Sequence, residues 1–223
     1  ALYEHLYATP GSIFTAPGNR TTADDISWLA GVWHRFSPVF AFRALLGTLH
    51  IFRGADNMIY YVFADFRLGQ TGTLTLFHFR DLYRNGQIPF YYRTSNDVDD
   101  FYSPRSVALG IMESANGFHL LLRPSLQLYL ELFVFYSNLS DNNSYWRVIF
   151  APYWRVYSSE HVLLDLGIYH EWQSFRRTVF SANGYFDPLM YQAYKVTAAL
   201  YLAQSENIGW QFYGAAGFQK NNT

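Results

Sequence analysis

The 223-residue chain carries 16 Lys and Arg against 17 Asp and Glu, a formal net charge of −1, and has no cysteine. That balance gives no electrostatic footprint for nucleic acid, and the absence of thiols excludes a disulfide scaffold or a thiolate metal site. Charged residues make up only 15% of the chain, below the roughly 25% of soluble domains, while aromatics reach 20%. No run of about 18 apolar residues exists to form a transmembrane helix, and mean hydropathy is −0.07. Ala1 opens inside a pattern without a basic n-region or apolar h-region, as expected of a mature or excised chain.

Residues 1–9 read as the tail of a strand already in progress, and residues 10–25, rich in Pro, Gly, Thr and Asp, as a loop. Residues 26–36 form a predicted strand with Ile26, Trp28, Ala30 and Val32 on one face, turned by Ser37-Pro38. Residues 39–53 follow, with Arg43 and His50 on opposite faces. Residues 58–69 alternate well, Met58, Tyr60, Val62, Ala64, Phe66 and Leu68 against Tyr61, Phe63, Asp65 and Arg67, and a short turn at 70–72 leads into 73–84. A long loop, 85–104, carries the acidic residues Asp97, Asp99 and Asp100.

Beyond it, Val107, Leu109 and Ile111 are apolar at odd positions but Phe118, Leu120 and Leu122 at even ones. A change of parity inside one strand needs an odd insertion, so a bulge is predicted at Ala115-Asn116-Gly117. The competing reading is a hairpin at Asn116-Gly117. Short and long connections alternate along the chain only if residues 105–123 form one strand, which favours the bulge.

From 125 to 219 the alternation is cleanest. Leu126, Leu128, Leu130, Leu132, Val134 and Tyr136 oppose Gln127, Tyr129, Glu131, Phe133 and Phe135; Trp146, Val148, Phe150, Trp154 and Val156 oppose Tyr145, Arg147, Tyr153, Arg155 and Tyr157. Val162, Leu164, Leu166 and Ile168 oppose Asp165, Tyr169 and Glu171, and Ile208, Trp210, Phe212 and Phe218 oppose Gln211, Tyr213 and Gln219. Pro152 removes a ladder donor inside residues 144–157, which predicts a bulge or a shorter strand there.

Strands of about 11 to 14 residues have the length that crosses a bilayer at a tilt of about 45°, whereas soluble strands average about 5 to 6. The purely apolar face therefore reads as lipid-facing and the mixed face as a lumen. The predicted fold is all-β, an antiparallel up-and-down transmembrane β-barrel forming one domain over residues 1–223. About 11 strands are counted, an odd number where bacterial barrels close on an even one. The chain is thus expected to be part of a larger barrel, incomplete at both ends. The expected lumen-lining residues are Asp65, Arg67, Tyr129, Glu131, Arg147, Tyr153, Arg155, Asp165, Tyr169, Glu171, Lys195 and Gln211, interleaved with Tyr61, Tyr201 and Tyr213.

Two further stretches carry a likeness. Tyr136-Ser137-Asn138-Leu139-Ser140-Asp141-Asn142-Asn143 precedes a strand containing Pro152-Tyr153-Trp154, and Gly184-Tyr185-Phe186-Asp187-Pro188-Leu189-Met190-Tyr191 leads into a later strand. Together they resemble the C-terminal outer-membrane barrel of tetratricopeptide-repeat exopolysaccharide export proteins, such as the export component of cellulose synthases. The likeness spans roughly residues 105–219, the earlier part matching by pattern alone. It implies a barrel of about 16 strands, a periplasmic helical-repeat scaffold, an inner-membrane synthase and a polysaccharide passenger. This chain itself carries no helical repeats and lacks the family's terminal strand with its closing aromatic residue.

The resulting expectation is a passive outer-membrane pore in the bacterial outer membrane, in contact with lipid bilayer and lipopolysaccharide, without nucleic acid, cofactor, metal or catalytic residues. Alternatives are an anchoring barrel that grips a partner or plug, an outer-membrane hydrolase, and a soluble sugar-binding β-protein. Seven histidines invite the hydrolase reading, but no Gly-x-Ser-x-Gly or His-Glu-x-x-His motif accompanies them. The acidic residues 97–100 and the tip 141–143 offer oxygen ligands for a hard cation without the spacing of a calcium loop, so solvated loops are expected. Arg176-Arg177 is open to three uses: a lipopolysaccharide phosphate, the acidic loop, or a constriction of the pore.

Overall fold

The computed structural model describes residues 3–9, 14–16, 19–23, 25–51, 56–83, 109–179, 187–205 and 208–222, with side chains described from Leu29 onward except at 51, 204 and 205. It contains thirteen strands among the described residues: β1 (Tyr3–Thr9), β2 (Phe14–Ala16), β3 (Asn19–Ala23), β4 (Asp25–Ser37), β5 (Phe40–Ile51), β6 (Asn57–Leu68), β7 (Gly72–Leu82), β8 (Met112–Leu122), β9 (Leu128–Leu139), β10 (Ser144–Ser158), β11 (Val162–Phe175), β12 (Met190–Ser205) and β13 (Ile208–Asn222). Eleven of them form a single sheet in the order β1-β4-β5-β6-β7-β8-β9-β10-β11-β12-β13. Every pairing in it is antiparallel between neighbours in that order, an up-and-down meander. The sheet is open, with β1 and β13 at its two edges.

Residues 10–25, expected to be a loop, instead hold the small antiparallel pair β2–β3 and the first residue of β4. Neither the bulge nor the hairpin expected within residues 105–123 is present. β8 pairs with β7 from Met112–Leu82 to Leu122–Gly72 and with β9 from Glu113–Leu139 to Leu122–Leu130, without a register shift. Leu109 and Gly110 lie in a turn ahead of β8, so the apolar residues there do not set the parity of the strand. Pro152 neither shortens β10 nor shifts its register. It sits opposite Leu130 of β9, pairing to β11 lapses at Ala151 and Pro152, and the register shift falls later, between Arg155 and Tyr157. The expected acidic loop and the first part of the 184–191 motif lie outside the described residues.

At one end of the sheet the connections are short, and serine hydroxyls hold three of them. Ser37 Oγ accepts from the Val39 and Phe40 amides, Ser125 Oγ from Gln127 and Leu128, and Ser159 Oγ from Val162. Another, between β6 and β7, turns on Gly69 at φ +62, a region glycine enters without steric cost.

Burial follows residue parity. Odd-numbered side chains of β5 to β12 include Phe63, Phe135, Tyr145 and Ala193, all buried, whereas the even-numbered Leu46, Trp146, Ile168, Val196 and Phe212 are exposed. An apolar face left outside and a face carrying charges turned inside invert the soluble arrangement. On the outer face, aromatic rings meet at both ends of the strands. Phe36, Phe40 and Phe66 meet beside the Ser37 turn at 5.4 and 5.1 Å, and Tyr136 meets Trp146 at 4.9 Å beside the β9–β10 loop.

Candidate functional site

The inner face is built in two parts. Toward the long-loop end it is an aromatic block in which Tyr61, Phe63, Phe77, Phe79, Tyr83, Phe133, Phe135, Tyr145, Tyr169 and Phe175 join one buried cluster. Phe77 on β7 and Phe133 on β9 are two strands apart, about 10 Å in a flat sheet, yet their rings lie 5.2 Å apart and nearly parallel. Gly117 makes that approach possible. It stands between Phe77 and Phe135 in the registers, and a Cβ there would lie 2.5 Å from Phe135 Cβ and 2.7 Å from Phe77 Cζ. Gly167 does the same for Tyr153, whose ring carbon would lie 2.6 Å from a Cβ at that position.

Toward the short-turn end the same face is polar. Arg43 on β5 holds Asp65 on β6 with two hydrogen bonds, 2.8 and 2.9 Å, and Thr75 Oγ1 donates to the same carboxylate at 2.7 Å. His119 Nε2 lies 2.8 Å from Glu131. Arg155 faces Asp165 directly across β10–β11 and binds it through two nitrogens, 2.9 and 3.0 Å. That guanidinium and that of Arg123 both lie over the ring of Tyr129, 5.2 and 4.8 Å from its centroid. The deepest pair lies at the opposite, long-loop end, within the aromatic block: Arg147 and Glu171 are 2.7 Å apart with side chains 7% and 8% exposed, and Tyr169 donates its hydroxyl to the second carboxylate oxygen at 2.8 Å.

Of the residues singled out from sequence, Asp65, Tyr129, Glu131, Arg147, Tyr153, Arg155, Asp165, Tyr169, Glu171 and Lys195 all stand on this odd-numbered face, half-buried or buried. Lys195 lies over the Tyr169 ring at 5.2 Å. Arg67 and Gln211 share the parity but are exposed, Gln211 Nε2 reaching Tyr201 Oη at 3.4 Å. The pairs unite Arg147 with Glu171 and Arg155 with Asp165, but Asp65 and Glu131 take Arg43 and His119 as partners, which the sequence pattern did not single out. Also missed were the facing carboxylates Asp81 and Glu113, which accept the hydroxyls of Tyr61 and Tyr145. The signal was present, since all four are odd-numbered on predicted strands, and the mistaken change of parity before Phe118 hid Glu113.

Arg177 has a definite use. Its Nη2 donates to the carbonyls of Asp141 and Asn142, while its backbone exchanges hydrogen bonds with the buried side chain of Asn143. Asn142 takes φ 65 in that turn. The tip 141–143 is therefore a clasp between the β9–β10 and β11–β12 loops. Among the described residues no group of three or more His, Asp or Glu is arranged to hold a metal. Of the 184–191 motif, Asp187 and Pro188 are buried, Asp187 accepting from the Val179 amide, and Tyr191 Oη lies 3.2 Å from Gln219.

No protein-family model matches the chain, and no curated protein does. A solved structure described as "Bacterial polysaccharide outer membrane secretin" superposes with a TM-score of 0.72 at 12% identity, covering 99% of this chain and 71% of that one. The chain thus has the all-β antiparallel fold of an outer-membrane protein.

Proposed function

We propose that this chain is the wall of an outer-membrane pore through which a polysaccharide leaves the cell. One observation carries the reading: the apolar face of a long-stranded meander is its exposed face, with Ile168 and Trp210 each 57% exposed, while the charged side chains, ion pairs among them, stand on the inner one. Strands of at least 11 residues from β4 onward reach about 36 Å, or about 26 Å of height at 45°, matching an apolar band of about 25 Å. The fold likeness to a polysaccharide secretin supports transport as the general task. Within the proposal, the polar inner band is the passenger's path, and translocation is passive and without catalysis. The 184–191 motif supports the finer kinship with the cellulose type of exporter, and with it a helical-repeat partner on the periplasmic side.

The aromatic block supports a second reading, an anchoring barrel closed at one end. Planar-bilayer recording on the full-length protein separates the two. Export predicts discrete conductance steps that a permeating oligosaccharide interrupts, together with periplasmic retention of the polymer when the gene is deleted. A folded, membrane-inserted protein that never conducts, in cells that still export polymer, would overturn the pore reading.

A further inference from the structure

Four arginines fall on the inner face near the short-turn ends of alternate strands: Arg35 on β4, Arg67 on β6, Arg123 just past β8 and Arg155 on β10. Their registers are regularly staggered. Arg35 pairs through Ala41 with Asp65, two residues before Arg67. Arg67 pairs through Thr73 with Leu121, two residues before Arg123. The β8–β9 register, extended by two residues, brings Arg123 level with Tyr129 and hence with Tyr153, two residues before Arg155. A drop of two residues over two strand spacings is about 6.6 Å against about 9.6 Å, a slope of about 35°. Strands in such barrels tilt by about 35–45°, so the stagger cancels the tilt and sets the four residues at one height, about 12 Å apart around the mouth. β-Bulges follow Arg35 and Arg155 immediately, the device that re-aims side chains at barrel rims.

Among the described residues the charge at this level is unbalanced. Asp65, Glu131 and Asp165 are occupied by Arg43, His119 and Arg155. Arg35, Arg67 and Arg123 are exposed, and among the described residues no carboxylate lies within ion-pair distance of them. Among the described residues, Glu160, in the β10–β11 turn, is the exposed acid at this end. Arg35 lies over Trp33, 5.7 Å from the ring centroid, and Arg123 over Tyr129, so two of the three cations have an aromatic plane beside them. Toward the other end, Asp81, Glu113 and Asp187 accept from neutral donors.

We infer that this ring is an intake site for a negatively charged polysaccharide, one bearing carboxylates such as a polyuronate. Guanidinium groups stay protonated at all physiological pH and match carboxylates two nitrogens at a time. A neutral polymer leaves three unpaired cations with nothing to do. Phospholipid headgroups are disfavoured as the ligand because the outer face at this height is apolar, with Phe36, Phe66 and Leu68 exposed there.

The inference rests on the export reading and specifies its passenger. The test uses the full-length protein in detergent micelles, with hexagalacturonate and cellohexaose as calorimetric ligands. Hexagalacturonate is expected to bind at least tenfold more tightly than cellohexaose, to weaken as salt rises, and to lose at least tenfold in R35Q/R67Q/R123Q with heat-modifiable mobility unchanged. Gly214→Ala serves as a matched control that keeps the affinity. Equal binding of the two sugars, or a triple variant that binds hexagalacturonate normally, overturns the charge assignment and leaves export standing. Failure of both sugars to bind, in a protein that also never conducts, overturns both.

Discussion

Gly117 shows how one missing methyl organises the inner face. A Cβ there would lie 2.2 Å from the Val134 carbonyl oxygen as well as against two rings, and neither backbone nor stacked rings yield cheaply. Gly117→Ala is therefore expected to destabilise the protein by about 1–3 kcal/mol, read as urea unfolding from lipid vesicles. Gly214→Ala, where nothing lies within 4 Å of the new atom, should stay within about 0.5 kcal/mol of the parent. The Arg147–Glu171 pair makes a second case. Glu171→Leu strips a buried guanidinium of its bound carboxylate and should cost about 3–5 kcal/mol. Adding Arg147→Met should recover most of that loss, since the pair's attraction largely repays its own desolvation. If the double variant is as unstable as the single one, the pair is holding more than itself in place.

Along each strand the physics that selects a face is a period of two, which is why β9 to β13 were legible without coordinates. Leu128 to Tyr136 and Ile208 to Phe218 announce both the strand and its outward side. The exceptions have local causes. Leu109 and Ile111 are apolar because they flank the start of β8 and, for Ile111, because the side chain is buried, not because they continue its outer stripe. β2 and β3 form a short pair whose Thr-containing sequence has no apolar alternation to reveal it. Ion-pair partners were half legible: parity places Asp65 and Arg43 on one face, but only the register makes them diagonal neighbours. The absence of native cysteines makes the face assignment directly testable in proteoliposomes. Ile168→Cys and Val196→Cys should resist a water-soluble maleimide while Arg67→Cys and Arg123→Cys react within minutes. The reverse pattern would put the even-numbered side chains in water and end the membrane reading.

At the scale of the whole molecule, the two halves of the inner face oppose each other. A polar, arginine-rich mouth suits a hydrated passenger, whereas the stacked rings of Phe77, Phe133, Phe135 and Tyr145 fill the far half as a hydrophobic core would. Both features follow from how sharply the sheet curls, since rings two strands apart meet only when the wall bends toward them. The aromatic block then stiffens the curl and narrows the path at once, and the pore reading requires the path to pass beside it. Conductance separates these effects. In planar bilayers the full-length protein should show small, infrequent steps. Phe77→Ala with Phe133→Ala removes the central stacked pair at a cost of about 3–5 kcal/mol each, so the variant is first checked for folding by heat-modifiable mobility. In the folded fraction the steps should become larger and more frequent, while Phe212→Ala on the outer face, 55% exposed, leaves them unchanged. Equal conductance in all three proteins would mean that the block stands aside from the path altogether and serves the wall alone.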